Sequence, residues 1–387
     1  MNKKHRRFNF KITNGMKVGI RIMLTLVVVF FLFIMAAERL NIATVTDITD
    51  SLRSFMSGLN PGPGYPYNLN SGSVKEITVL NGDLFVLTDQ DTFTLDSTAK
   101  LIKTTSHTYS SPKMSSRGSK VILYNRNGNR FRVENRTDTL FSGETKDDEK
   151  IITAAMGAKG NIAIATFSDD CASKLKVYSN NYKSEIFSWS CAQDMITSLD
   201  LADNGRYAAV SVVGARDGEI YSKVIVFDFN YSEPKAEFEY PGTAALAVHF
   251  SKNDNIVMIG DNLTSFIKGL KNKTELEYGS STLQNFTFSE DGYTAIALAQ
   301  HGSTNDVKIL CYSSGLSQTF DRDFDKSVKS LYMSNGRISA VFDDQVCVIR
   351  SGGSIQKKYD ADSSAIMAFN LGNRTYLYSV GEIKKCK

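Results

Sequence analysis

Ile196-Thr-Ser-Leu-Asp-Leu-Ala-Asp-Asn-Gly-Arg-Tyr-Ala-Ala-Val210 and Leu283-Gln-Asn-Phe-Thr-Phe-Ser-Glu-Asp-Gly-Tyr-Thr-Ala-Ile-Ala297 carry one pattern twice. An apolar strand runs into a Gly-containing polar turn, and a second strand rich in Ala, Val and Ile runs out of it. Ala245–Ile259 matches them, with Lys252-Asn-Asp-Asn255 at the turn. Weaker copies begin near Val74, Ser111, Ile152, Val328 and Ala365. Two further strand-like runs follow each copy, as in Lys174-Leu-Lys-Val-Tyr-Ser and Glu185-Ile-Phe-Ser-Trp in the third unit. A period of roughly 40 residues with four short strands per unit is the signature of a β-propeller. Eight starts favour eight blades; seven is the alternative if one weak unit is mis-split, and a β-sandwich array is the structural competitor.

The first two strands of each unit are expected to be small and apolar, to suit a crowded centre, with the third and fourth forming a charged rim. After Ala365–Asn370 and Tyr376–Val380, the last unit has residues enough for a third strand but not a fourth. Tyr65-Pro-Tyr-Asn-Leu69, just before the first unit, is placed to supply it and close the ring, which removes two exposed sheet edges.

The head of the chain reads differently. Lys3, Lys4, Arg6, Arg7, Lys11, Lys17 and Arg21 precede Ile22–Ala37, whose one polar side chain is Thr25. Twenty residues from Val18 to Ala37 make a helix of roughly 30 Å, one hydrocarbon thickness. The basic flank keeps the N-terminus in the cytoplasm and sends the ring outside the cell membrane. The run exceeds a usual signal-peptide core, and Met35-Ala-Ala-Glu38 lacks a small residue three before the cut, so an uncleaved anchor is expected. The organisation is then a basic cytoplasmic tail (1–17), a transmembrane signal-anchor helix (18–37), a stalk and Pro/Gly hinge (38–64) and an extracytoplasmic propeller (65–387). Without the seven head cations, 38 basic residues face 41 acidic ones. The positive net charge is therefore a topology signal and not a nucleic-acid footprint.

This layout of basic tail, single anchor, Gly64-Tyr-Pro-Tyr-Asn-Leu69 and ring resembles an uncharacterised family of bacterial membrane-anchored propellers, within the WD-repeat or YVTN-like superfamily. It departs from true WD repeats, having no Gly-His or Trp-Asp dipeptide and one tryptophan, Trp189. The resemblance implies an architecture and no site.

Chemistry is sparse. No Gly-x-Ser-x-Gly elbow accompanies His5, His107, His249 or His301, and His249 reads as a hydrogen-bonded inner-strand residue. Asp321, Asp323 and Asp325 alternate like a calcium loop, but Lys326 stands where Gly is required and Tyr332 where Glu is. They read as solvated acids on an outer strand. Asn285, one of six glycosylation sequons, falls within an inner strand where no glycan fits. No catalytic residue, metal ligand or cofactor is assigned. Five cysteines contain no C-x-x-C pair. Cys311 and Cys347 sit in apolar runs as buried thiols, whereas Cys171 and Cys191 are candidates for a disulfide within the third unit. The function expected is a binding or scaffolding module for a protein or envelope-polymer ligand. The alternative is a lactonase-like extracytoplasmic hydrolase with a metal in the channel.

Overall fold

A computed structural model describes residues 14–39, 60–69, 72–300 and 302–387. Residues 1–13, most of the stalk, His5 and His301 lie outside the described residues. The chain divides into two units, residues 1–60 and 61–387. In the first, Asn14–Arg39 is one helix of 26 residues, about 39 Å long. Its side chains at 14–16, 26, 30–31 and 33–39 are outside the described set. Among the described residues no helix is long and apolar enough to cross a membrane.

The second unit is an eight-bladed β-propeller. Each blade is a four-stranded antiparallel sheet. Seven blades are continuous in sequence, with inner strands Val74–Leu80, Pro112–Arg117, Ile151–Met156, Met195–Leu201, Ala245–Phe250, Thr282–Phe288 and Ser330–Ser334. The eighth is composite: Ala365–Leu371, Arg374–Ser379 and Glu382–Lys385 are completed by Tyr67–Asn68, with Tyr67 opposite Ile383 and Asn68 opposite Glu382. Leu69 N extends the pairing to Gly381 O at 2.8 Å, and Tyr65 packs edge-on against Tyr376, centroids 4.7 Å apart.

Stability resides between the blades. Eight apolar clusters bridge the eight neighbouring pairs, so burial runs around the ring without a gap. The second strands supply most of it; Asp83–Thr88, Ile162–Thr166, Ile256–Gly260 and Thr294–Ala299 are buried throughout. The third strands are core as well, as the alternating burial of Ser173–Tyr178 shows. Only the fourth form a rim, which corrects the expectation of a two-strand rim. The inner strands are also less apolar than expected. Pro112–Arg117 is buried only at its ends, because alternate side chains face the central channel, where polar groups stay solvated.

Candidate functional site

Turn chemistry sets the two faces of the ring. Residues 61–65 join it beside the turn between the third and fourth strands of blade 1: Gly64 N donates to Thr98 O and Tyr65 Oη to Asp96 O. On this near face each inner strand also turns into its second strand. The tight turns at Asn81-Gly82 and Asn335-Gly336 need two positive φ angles, which Asn and Gly accept at low cost.

These turns converge on a cavity of about 640 Å3 at the near end of the channel, with walls from six blades. Arg117 of blade 2 reaches past blade 3 to Asp203 of blade 4, its Nε lying 3.2 Å from Oδ1. Lys252 of blade 5 bonds the other oxygen of the same carboxylate. Gly118 N of blade 2 donates to Glu290 Oε1 of blade 6 at 2.8 Å, tying opposite sides of the ring. Burial pushes the Asp203 carboxyl up, but hydrogen bonds from Lys252 and Arg117 outweigh it and hold the group below the usual carboxylate range.

Deeper in the cavity, Asp200 Oδ2 accepts from His249 Nδ1 at 2.8 Å and from Phe250 N at 2.8 Å. Burial raises Asp200 as well; the charges of His249 and Arg117 outweigh it and leave the carboxyl depressed. His249 stacks on Phe288, centroids 4.6 Å apart and planes 18° apart. It is thus an inner-strand histidine with one nitrogen satisfied, while its Nε2 is buried with no hydrogen-bond partner among the described residues.

The far face is built differently. Six inner strands carry an irregular register near their first residues, leaving Lys75, Ile152, Thr197, Leu246, Gln284 and Ile366 as extra residues at that end of the channel. A bulge re-aims its side chain, and here it leaves Leu246 and Ile366 exposed, at 47% and 42%. Phe167 and Val380 are exposed on turns between second and third strands of the same face, and Ile220 is exposed at the start of a third strand there. Ile220 belongs to the longest hairpin of the ring, Tyr207–Arg216 with Glu219–Asp228. Its Asp217-Gly218 turn lies three residue pairs beyond the point where the inner strand stops pairing. Five of the eight large apolar side chains exposed on the described ring therefore lie on one face, on blades 3, 4, 5 and 8.

The other candidates fall elsewhere. Asp321 and Asp323 lie on the outer strand Gln318–Phe324, with Asp325 just beyond it. His107 follows the outer strand of blade 1 instead of lying within it, its Nε2 3.1 Å from Thr88 O. Asn285 is on an inner strand, its Nδ2 donating to Lys329 O. Cys311 and Cys347 are fully buried, and burial pushes the Cys311 thiol up to about 11. Cys171 and Cys191 are free thiols. Their geometry differs from the expectation of a turn reaching over strand three. Ser173 pairs directly with Cys191, and Ala172 N meets Ala192 O at 3.4 Å, so Cys171 lies diagonally across from Cys191 on adjacent chain segments. Among the described residues no group of three or more His, Cys, Asp and Glu is placed to hold a metal. In the near-face cavity Asp200 and Asp203 are committed to His249, Arg117 and Lys252.

Residues 67–387 match the model of a family described as a family of unknown function, DUF5711. The chain belongs to that family. No curated protein matches it. Among solved structures, the DUF5711 ring is similar to the C-terminal WD40 domain of Sif2, at 11% identity and a TM-score of 0.57, covering 84% of this chain and 99% of that one. Sqt1 of Chaetomium thermophilum, bound to the N-terminus of ribosomal protein L10, matches at 12% and 0.56, covering 83% and 98%. BamB of Moraxella catarrhalis matches at 10% and 0.51, covering 84% and 100%. At these identities the likeness concerns the fold alone. The near-face cavity was missed by sequence reading. Its lining runs from Thr78 to Asn335, and the one local signal, Asp and Glu recurring in the inner turns, is shared with ordinary turn chemistry.

Proposed function

We propose that this DUF5711 chain is a membrane-anchored, extracytoplasmic binding module that docks a protein partner on the far face of its ring. The carrying observation is that Phe167, Ile220, Leu246, Ile366 and Val380, on blades 3, 4, 5 and 8, are exposed on that face, two of them presented by strand bulges. Exposed apolar side chains sharing one rigid face favour protein contact, because burying them against a partner removes them from water at about 25 cal/mol per Å2. Propellers of the same architecture supply precedent in Sqt1 with its ribosomal-protein segment. The anchored, outward-facing arrangement is supported by the seven head cations and by the apolar run 22–37 falling within the helix Asn14–Arg39.

Two measurements test this. Protease added to intact cells should digest the ring and spare the tail; a protected ring, or a mature chain starting near Glu38, overturns the topology. Leu246→Asp with Ile366→Asp should abolish co-purification of the partner from native membranes while leaving the melting temperature unchanged. Undiminished co-purification overturns the docking face.

A further inference from the structure

The outer rim of the near face is made by the turns between third and fourth strands, and it carries the charge opposite to that of the far face. We propose that this rim seats on an anionic phospholipid surface, a proposal that rests on the anchored arrangement and leaves the far face outward for its partner.

Charge comes first. Lys183 of blade 3, Lys235 of blade 4, Lys268 and Lys271 of blade 5, Arg350 of blade 7 and the terminal Lys387 stand exposed on or beside the rim turns. None of them makes an ion pair among the described residues. The exposed acids described on that rim are Glu185 and Glu233. On the far face the balance reverses. Asp147, Asp148, Asp169, Asp217, Asp261 and Asp306 stand exposed on its turns, while Lys174, Lys326 and Lys329 are spent on Glu149, Asp344 and Asp343. A layer of lipid phosphates attracts one face and repels the other, so it orients the ring as well as holding it.

Apolar groups mark the same edge. The large exposed apolar side chains of the described ring that are not on the far face, Leu101, Ile186 and Tyr231, all stand on this rim. Ile186 follows the turn that carries Lys183, and Tyr231 lies in the turn that leads to Lys235. Cations beside an aromatic and an aliphatic side chain suit the headgroup boundary, where Lys meets phosphate while Tyr or Ile enters the acyl margin. A soluble polyanion would engage the cations and leave these apolar groups in water, so the lipid surface is the better fit. The chain also enters the ring here, since residues 61–65 bond to the blade 1 rim turn that leads into Leu101.

The test reconstitutes the full chain into phosphatidylcholine vesicles, with or without phosphatidylglycerol, that contain a rhodamine-labelled lipid. A coumarin amino acid replaces Ser232 on the near rim or Ser280 on the far face, both exposed. Energy transfer from position 232 should rise with phosphatidylglycerol and fall back in about 1 M NaCl, where the screening length is about 3 Å. Transfer from position 280 should not rise. Each cation at the surface is worth about fivefold in the ratio of seated to released ring. Changing Lys183, Lys235, Lys268 and Lys271 together to Gln should therefore remove the rise at an unchanged melting temperature, and Ile186→Ser with Tyr231→Ser should reduce it. Flotation of the same vesicles reads the anchor separately. A chain that floats, with transfer from position 232, on phosphatidylglycerol vesicles but not on phosphatidylcholine alone overturns the anchor and supports the seating. Equal transfer from position 232 in both lipids, an equal rise from position 280, or a rise undiminished by either set of substitutions overturns the seating.

Discussion

Replacing Glu134 by Ala removes the one acid of a buried triad between blades 1 and 2. Its carboxylate is fully buried. Lys103 Nζ lies 2.8 Å from one oxygen, and Arg132 is paired with the other as an ion contact. Arg132 also donates to Ser106 O at 2.9 Å and Thr92 Oγ1 at 3.1 Å, so it cannot swing out to water without abandoning them. The buried pair Arg136–Asp83 and the Thr78–Ser116 hydrogen bond cross the same interface, but its apolar core is small. Its apolar cluster holds five buried side chains, Leu80, Phe85, Leu87, Val121 and Leu123, against sixteen between blades 3 and 4. Breaking a buried pair from one side costs about 3–5 kcal/mol, because the orphaned charge stays behind. Unfolding entropy of about 2.1 cal/mol/K per residue over roughly 320 residues converts this into a fall of about 4–7 °C in Tm. Burial already holds Lys103 below its ordinary 10.5, with Glu134 opposing. Without Glu134 it drops further, and the folded state sheds that proton before the unfolded chain does. The deficit of E134A should therefore shrink as pH rises toward 10. Differential scanning calorimetry at pH 7 and pH 10 reads both effects. Glu144→Ala, which breaks the exposed pair with Arg130, is the control and should shift Tm by less than about 1 °C. A loss for E134A as small as the control's would refute the reasoning.

Other consequences follow from the same geometry. Tyr65→Ala removes a half-buried ring from Tyr376 and a hydrogen bond to Asp96 O, and a thermal melt should show a loss of about 2 kcal/mol, or about 3 °C. Asp203 is held below its ordinary 3.8, so its contribution is complete above that value and is lost as pH falls through the folded value. Asp203→Asn should flatten the acid limb of the Tm profile below about pH 4. Diagonal neighbours on adjacent strands sit about 7–8 Å apart, just beyond disulfide range, and the Cys171 thiol donates to Ser173 O at 3.3 Å, so Cys171 and Cys191 should stay unbridged. Peptide mapping without reduction should recover both alkylated; recovery of a linked pair would show that the two segments shift together.

The blades were legible because propeller units repeat locally. Each inner hairpin puts two apolar strands around a Gly- or Asn-containing turn, and the starts read near Val74, Ser111, Ile152 and Ala365 fall within a residue of strands in the structure. What repetition hides is what differs among copies. The bulges that expose Leu246 and Ile366 change register without changing composition. Arg132 and Glu134 read as solvated rim residues on a strand that is in fact core. His249 was correctly placed on an inner strand, yet its partner Asp200 comes from another blade, 49 positions away, and no local pattern couples them.

Site-specific photocrosslinking in intact cells tests the central claim most directly. A benzophenone side chain at Leu246 or Ile366 on the far face, and at exposed Gln318 on an outer strand, is carried on the full chain and irradiated. The account predicts one adduct of the same mass from both far-face positions and none from Gln318. No adduct from either far-face position, or the same adduct from Gln318, would contradict it.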